Sequence, residues 1–273
     1  MKLWTLLRRA AGGWAALATL LAMTALAEPT NALSDAEIQG RQLARQLVAQ
    51  MPATNWVQSG TISFRDEKGN RTAFPFKYEV RLGLHYNTTF EWFGKYTAFR
   101  ETDGHTAVEN AARGIHGESL FISFGASHPN IYKFHLADHQ ESSSFNSTGD
   151  LLTPFAGTDF WACDLGLEFF HWPTQKVLPK TTNLKRGREY TLLESTDPNP
   201  NTNGYSRVLS WIDQESGGIL AAEAYDAAGK KLKEFEPKTF KKVNGQWELQ
   251  EMEIRNVQTH SRTRLEFDLK KTE

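Results

Sequence analysis

The sequence predicts a mainly β chain with a few helices, its antiparallel strands curled into a barrel or a strongly bent sheet with a short aromatic helix against the sheet or over the barrel mouth. Three observations carry that expectation. From Asn55 onward, apolar residues recur at every second position, the period of a half-buried strand. Turn residues interrupt these runs often enough to give about ten or more strands that are neighbours in sequence, as in meandering barrels and bent sheets. One stretch departs from the pattern: Thr153 to Lys180, TPFAGTDFWACDLGLEFFHWPTQKVLPK, is dense in large rings.

The chain opens on an export signal at residues 1–27. Lys2, Arg8 and Arg9 flank an apolar run from Ala10 to Ala22, and Ala25-Leu26-Ala27 forms an A-x-A cleavage site. The run is too short to span a bilayer. Cleavage before Glu28 leaves residues 28–273 as a single domain, expected to be exported, soluble and periplasmic. The mature chain then begins with a helix. Ser34 and Glu37 have capping-box spacing, with Leu33 and Ile38 as a hydrophobic staple. Ala36, Leu43, Ala44, Leu47, Val48 and Met51 give it one apolar face, and Pro52 stops it. Such a helix must dock, and a sheet face is the expected surface.

Strands follow. Trp56 to Asp66 is the first, and Asp66 to Asn70 is a turn. In the second, Phe74, Phe76, Tyr78, Val80 and Leu82 alternate with Ala73, Pro75, Lys77, Glu79 and Arg81. Pro75 argues for an edge or a bulge. Gly83 breaks it, and Tyr86–Phe93, Tyr96–Glu101, Thr106–Asn110, Leu120–Phe124 and Ile131–Leu136 read as shorter strands. Residues 138–150 are polar and small, a surface loop. Within the aromatic stretch, Thr158 to Leu165 fits a short helix with Thr158 as N-cap. Arg188–Thr196 and Tyr205–Asp213 make a long-looped hairpin. Leu220–Asp226 and Lys231–Lys241 form another, Asn244-Gly245 is a tight turn, and Trp247–Val257 and Arg262–Lys270 close the chain.

The totals exclude some functions. The chain holds 31 basic and 32 acidic residues, a balance that gives no reason to expect nucleic acid. Cys163 is the only cysteine, so no internal disulfide forms, and among rings it reads as a small buried hydrophobe. Phosphate loops, G-x-S-x-G and H-E-x-x-H motifs are absent. His135 and His139 have helical ligand spacing but fall on a strand end and a loop, so no metal or cofactor is expected and no catalytic residue is assigned. Glu251 and Glu253 share a strand face with Lys and Arg neighbours, as on a solvated surface.

What remains is apolar surface. A curved sheet presents every second residue to its concave face, and a helix across its mouth encloses a dry pocket for acyl chains. The wall candidates are Phe74, Phe76, Tyr78, Val80, Leu209, Trp211, Leu265 and Phe267. The lid candidates are Phe160, Trp161, Phe169 and Phe170. Each ring also fits ordinary core packing. Asp164, a carboxylate amid rings, is expected to accept backbone N–H groups or pair with Lys or Arg and so hold the insert in place.

The run Gly157-Thr158-Asp159-Phe160 with Asp164-Leu165 resembles the aspartate-containing motif of bacterial outer-membrane lipoprotein-sorting proteins. So do Trp211 to Glu215, Glu223 to Asp226, Gly229-Lys230 with Lys233, and the closing hairpin from Trp247 to Glu266. The resemblance spans residues 55–270 and is strongest after Pro154; the triplet Trp161-Ala162-Cys163 departs from it. It implies a LolA-like fold, an incomplete, half-open antiparallel barrel with a helical lid, that carries an acylated lipoprotein or lipid between membranes, with an inner-membrane transporter and an outer-membrane receptor as partners. Two other readings stand beside the carrier. One is a filled scaffold that binds a protein through an edge strand. The other is a hydrolase that uses a His–carboxylate pair.

Overall fold

In a computed structural model, the described residues are 33–269 apart from 86–88, 102–104, 114–116, 136–141, 146–149 and 244–245. The expected signal at 1–27 lies outside them, and residues from Leu33 on form one compact unit. The helix α1 (Asp35–Val48) starts on the capping box: Ser34 Oγ accepts from Glu37 N–H, and Glu37 Oε2 accepts from Ser34 N–H at 2.8 Å. Among the described residues thirteen strands follow: β1 (Trp56–Arg65), β2 (Arg71–His85), β3 (Thr89–Phe99), β4 (Gly117–Phe124), β5 (Ile131–His135), β6 (Ser142–Phe145), β7 (Thr174–Leu178), β8 (Tyr190–Thr196), β9 (Arg207–Asp213), β10 (Ile219–Tyr225), β11 (Lys231–Val243), β12 (Gln246–Asn256) and β13 (Ser261–Phe267).

All thirteen belong to one antiparallel sheet that does not close, in the order β6-β5-β4-β3-β2-β1-β13-β12-β11-β10-β9-β8-β7. The chain therefore starts in the middle of the sheet. It meanders out to one edge at β6, reappears at the far edge at β7, and meanders back until β13 pairs with β1, Ile62 opposite Leu265. The segment joining the two edges must cross a face of the sheet. It is the aromatic stretch, and its rings decide which face: Phe155, Phe160, Phe169 and Phe170 are all buried in the one large core. The same face receives α1, whose Ala44, Leu43, Leu47 and Val48 join that core. Helix and sheet edge touch backbone to side at Gly40, where a Cβ would lie 2.5 Å from Lys176 N, so only glycine permits this approach.

Five local expectations change, the first at Gly83, which does not break β2: the strand runs through it to His85. Thr106–Asn110 is not a strand; residues Ala107–Arg113 form the helix α2, started by Thr106 and Glu109, whose side chains cap each other's N–H groups. Gly94 does not divide two strands. β3 runs through it because a Cβ there would fall 2.9 Å from Tyr78 Oη, so the glycine makes room for a ring. The expected loop at 138–150 contains β6, which takes its ladder from β5 despite its serines. Pro75 lies inside β2, but the β3 ladder begins only at Phe76, so on that side the strand is still an edge where Pro75 stands. The short helix of the insert, α3 (Ala162–Gly166), begins four residues later than expected. Asp164, not Thr158, supplies its cap, by accepting Trp161 N–H at 2.8 Å.

Candidate functional site

The inner face of the sheet has two unlike halves. In β1–β5 it is filled. Phe74, Phe76, Tyr78 and Val80 all point inward and are buried, so the period read on β2 is the one the strand uses. Tyr78 stacks on Tyr96 with centroids 4.1 Å apart, Tyr96 meets Phe155 of the insert edge-on at 6.1 Å, and Arg100 lies 4.4 Å over the Phe74 ring. At the seam with β13, Leu265 is buried and Phe267 meets Phe76 edge-on at 5.4 Å.

In β9–β12 the inner face is hollow. The register sets Val208 beside Ala224 and Ser210 beside Ala222, a floor of small side chains. Above it, between the insert and the sheet, is a cavity of about 1040 Å3. Its walls are Val208, Ile219, Phe235, Leu249, Met252 and Ile254, and its roof is Phe160, Leu165, Leu167, Phe169 and Phe170. It follows β11 from Lys233 to Phe240, about 23 Å at a strand's usual rise. That volume is at the upper end of ligand sites, and the lining is mostly apolar with few polar groups, as in such sites.

The eight expected wall residues do not line this cavity. Six lie in the filled half or at the seam. Leu209 and Trp211 lie on the outer face, in a separate cluster with Tyr190, Leu192 and Ala221, with Lys185 Nζ 4.1 Å over the Trp211 ring. Of the four lid residues, Phe160, Phe169 and Phe170 form the roof. Trp161 stacks on Tyr205 at 4.9 Å instead.

The cavity's inner end is a buried polar cluster. Lys233, 2% exposed, donates to Asp164 Oδ2 at 3.1 Å and to the Asp159 carbonyl at 2.7 Å, and its Nζ sits 3.3 Å from the Trp161 ring centroid. Tyr205 donates to Asp164 Oδ1 at 2.7 Å. Asp164 thus holds both kinds of partner, a backbone N–H and a lysine. Burial lowers the Lys233 pKa, and burial first, then the Asp164 charge, pushes the Tyr205 hydroxyl well above its ordinary value. Asp159 accepts from Ser261 and, at 2.9 Å, from Thr263 of β13. At the other end of the insert, Tyr132 donates to Glu168 at 2.9 Å and Asn130 to the Gly166 carbonyl at 2.8 Å. The lid is therefore tied to both halves by buried polar groups. Cys163 lies in this core, and burial raises its thiol well above the ordinary range, as an inert packing residue requires.

The cavity's outer end is bordered by Gln50, just past the end of α1, Arg186, Arg188, residues 215–218, Phe240 and Trp247. Arg188 pairs with Asp213 at 2.8 Å and holds that carboxyl down at about 2. Glu251 and Glu253 both bind Arg264, and Glu253 is buried rather than solvated. Among the described residues, no group of three or more His, Cys, Asp or Glu is placed to hold a metal; His139 lies outside them. No helix among the described residues is long and apolar enough to cross a membrane.

A family model described as "Uncharacterized protein" matches residues 141–272, the insert and the hollow half together. No curated protein matches the sequence. Among solved structures, a DUF1329 family protein from Desulfovibrio piger has 16% identity and a TM-score of 0.65, with 86% of this chain and 92% of that one covered. A putative outer membrane lipoprotein-sorting protein domain from Vibrio parahaemolyticus has 16% identity and a TM-score of 0.65, covering 85% and 92%. A LolA superfamily protein from Nitrosomonas europaea has 13% identity and a TM-score of 0.55, covering 88% and 95%. The fold of this chain is thus LolA-like, an unclosed antiparallel sheet with an insert over its inner face.

Proposed function

We propose that this chain, which has the fold of lipoprotein-sorting and LolA-superfamily proteins, is a non-catalytic periplasmic carrier. It binds the acyl chains of a lipoprotein or lipid in the cavity between the insert and β9–β12. The observation that carries this reading is the floor of small residues under an aromatic roof. Val208, Ser210, Ala222 and Ala224 leave space where the first half has rings. Each methylene buried there contributes about 0.8 kcal/mol, so ten supply about 8 kcal/mol before association costs. The signal at residues 1–27 would deliver the chain to the periplasm. Sorting toward the outer membrane is the role that the description of the Vibrio structure suggests for this chain, and an inner-membrane transporter and an outer-membrane receptor are the partners proposed here.

The buried ties at Asp159, Asp164 and Glu168 keep the lid shut, because opening it would strip Lys233 and three carboxylates of their partners. Chains therefore enter at the end bordered by Phe240 and Trp247. Native mass spectrometry of the mature protein from its own periplasm, followed by organic extraction, tests the reading. A co-purifying lipid or acylated peptide that is missing from an Ala224→Trp variant is the expected result. An empty wild-type protein that takes up no added lipid would move the function to the scaffold reading.

A further inference from the structure

We infer that the outer part of β11 and β12, at Phe240, Lys242 and Trp247, is a docking surface for an anionic lipid bilayer. The ladder between β10 and β11 stops at Phe235, and that between β12 and β13 begins only at Glu251. Beyond those points the two strands pair only with each other, so the hairpin extends past the sheet as a two-stranded arm. Such a ribbon is marginal in water unless one face is covered. Its inner face is apolar and open: Phe240 is 51% exposed and Trp247 70% exposed, and both border the cavity's outer end. Leu184, 51% exposed, is on the neighbouring loop, where Arg186 donates to the Lys238 carbonyl at 3.3 Å.

Charge identifies the occupant. Lys238, Lys241 and Lys242 flank Phe240, and Lys242 stands opposite Trp247 in the register. The carboxylates of the arm are Glu236 and Glu248. Glu236 is taken up by Lys238 at 2.7 Å and Arg186 at 3.7 Å, and Glu248 stands opposite Lys241. Lys242 has no carboxylate partner among the described residues. Lys238 is held by Glu236 and Glu253, and Lys241 donates to the Leu269 carbonyl at 2.9 Å, so among the described residues Lys242 is the lysine free beside the rings. An exposed tryptophan and phenylalanine with that lysine match the interface of an anionic membrane, where rings sit at headgroup level and a lysine meets lipid phosphate. Docked this way, the cavity's outer end faces the bilayer, and an acyl chain passes between membrane and cavity without crossing water.

Flotation of the full mature chain with cargo-free vesicles tests this. It should float with phosphatidylcholine vesicles containing phosphatidylglycerol, and salt or omission of phosphatidylglycerol should release it. The double change Phe240→Glu and Trp247→Glu should weaken vesicle binding by more than about tenfold. Lys242→Gln should weaken it about fivefold, the share of one lysine at such a surface. Lys133→Gln, on the exposed side of β5, should change nothing. Ala224→Trp, which fills the cavity, should float like the wild type, which separates docking from acyl uptake. Circular dichroism and melting curves confirm that each variant is folded. Failure of the wild type to float, equal flotation of the double variant, or loss of flotation in Ala224→Trp would overturn the inference.

Discussion

One sheet, one inner face and one lid produce a solid half and a hollow half. Across β1–β5 the insert meets Phe74, Phe76, Tyr78, Leu120, Ile122 and Tyr132, and the space is full. Across β9–β12 the same insert faces Val208, Ala222 and Ala224 across a cavity of about 1040 Å3. Both halves are antiparallel meanders, although the hollow half also carries register shifts at Ile219/Ala221, Ala224/Tyr225 and Pro237–Phe240. Side-chain volume separates them. The filled half anchors the insert, with Tyr132 and Asn130 holding Glu168 and Gly166, so that the roof stands over the hollow half without collapsing onto it. A cavity of this size survives only if its cover is supported from elsewhere, because apolar walls otherwise close up.

The largest expected effect is at the boundary between the halves. Lys233→Ala strands Asp164 in the core and should cost about 3–5 kcal/mol, read as a shift of the urea midpoint. A Lys233→Met, Asp164→Asn double variant should recover part of that loss, because it leaves no orphaned charge while the amide oxygen still accepts from Trp161 N–H or Tyr205. In the filled half, Phe76→Ala should cost about 3–5 kcal/mol of stability while the folded protein keeps its acyl affinity. In the hollow half the order reverses: Ala224→Trp should cut acyl affinity by more than about tenfold, or 1.4 kcal/mol, and leave the melting temperature nearly unchanged.

The pH dependence probes the anchor. Burial raises the Glu168 pKa from 4.5 to about 7. Between those values the folded protein keeps a proton that the unfolded chain releases, so this group makes stability fall as pH rises from about 4.5 to about 7. Nearby His171, lowered to about 4 mainly by burial, has the opposite slope. The difference between wild type and Glu168→Gln isolates the glutamate, and should amount to up to about 3 kcal/mol across that window in denaturation curves. The smallest effect is at α1, where Ser34→Ala removes one half of the capping box and should cost about 1 kcal/mol.

Much of the fold was legible in the sequence. Period 2 on β2 and the Ser34–Glu37 box act over a few residues, so local sequence carries them; the expected turn at Asn244-Gly245 lies outside the described residues. The halves of the inner face were harder to tell apart. Rings such as Phe76 and Tyr78 drew the expected wall to the filled half, because large apolar residues mark burial whether or not space remains beside them. The hollow is made by Ala222 and Ala224, whose significance depends on Val208 and Ser210 lying beside them in the register and on an insert overhead. Leu209 and Trp211 follow the right period in the opposite phase, and phase is fixed by which face the crossover takes. The lid rings Phe160, Phe169 and Phe170 were legible, since no other stretch is so dense in aromatics. Lys233 carried a signal too, as a lone lysine at an inward position of β11, visible once Phe235 fixes the phase.

The most direct test of the central claim is photocrosslinking with a fatty acid that carries a diazirine near its methyl end, followed by peptide mapping. Labels on β10–β12, around Ala222–Ala224 and Phe235–Met252, are predicted, with loss of labelling in Ala224→Trp. Labels concentrated on Phe74–Val80 would place the chain in the half that is full here, and would contradict the account.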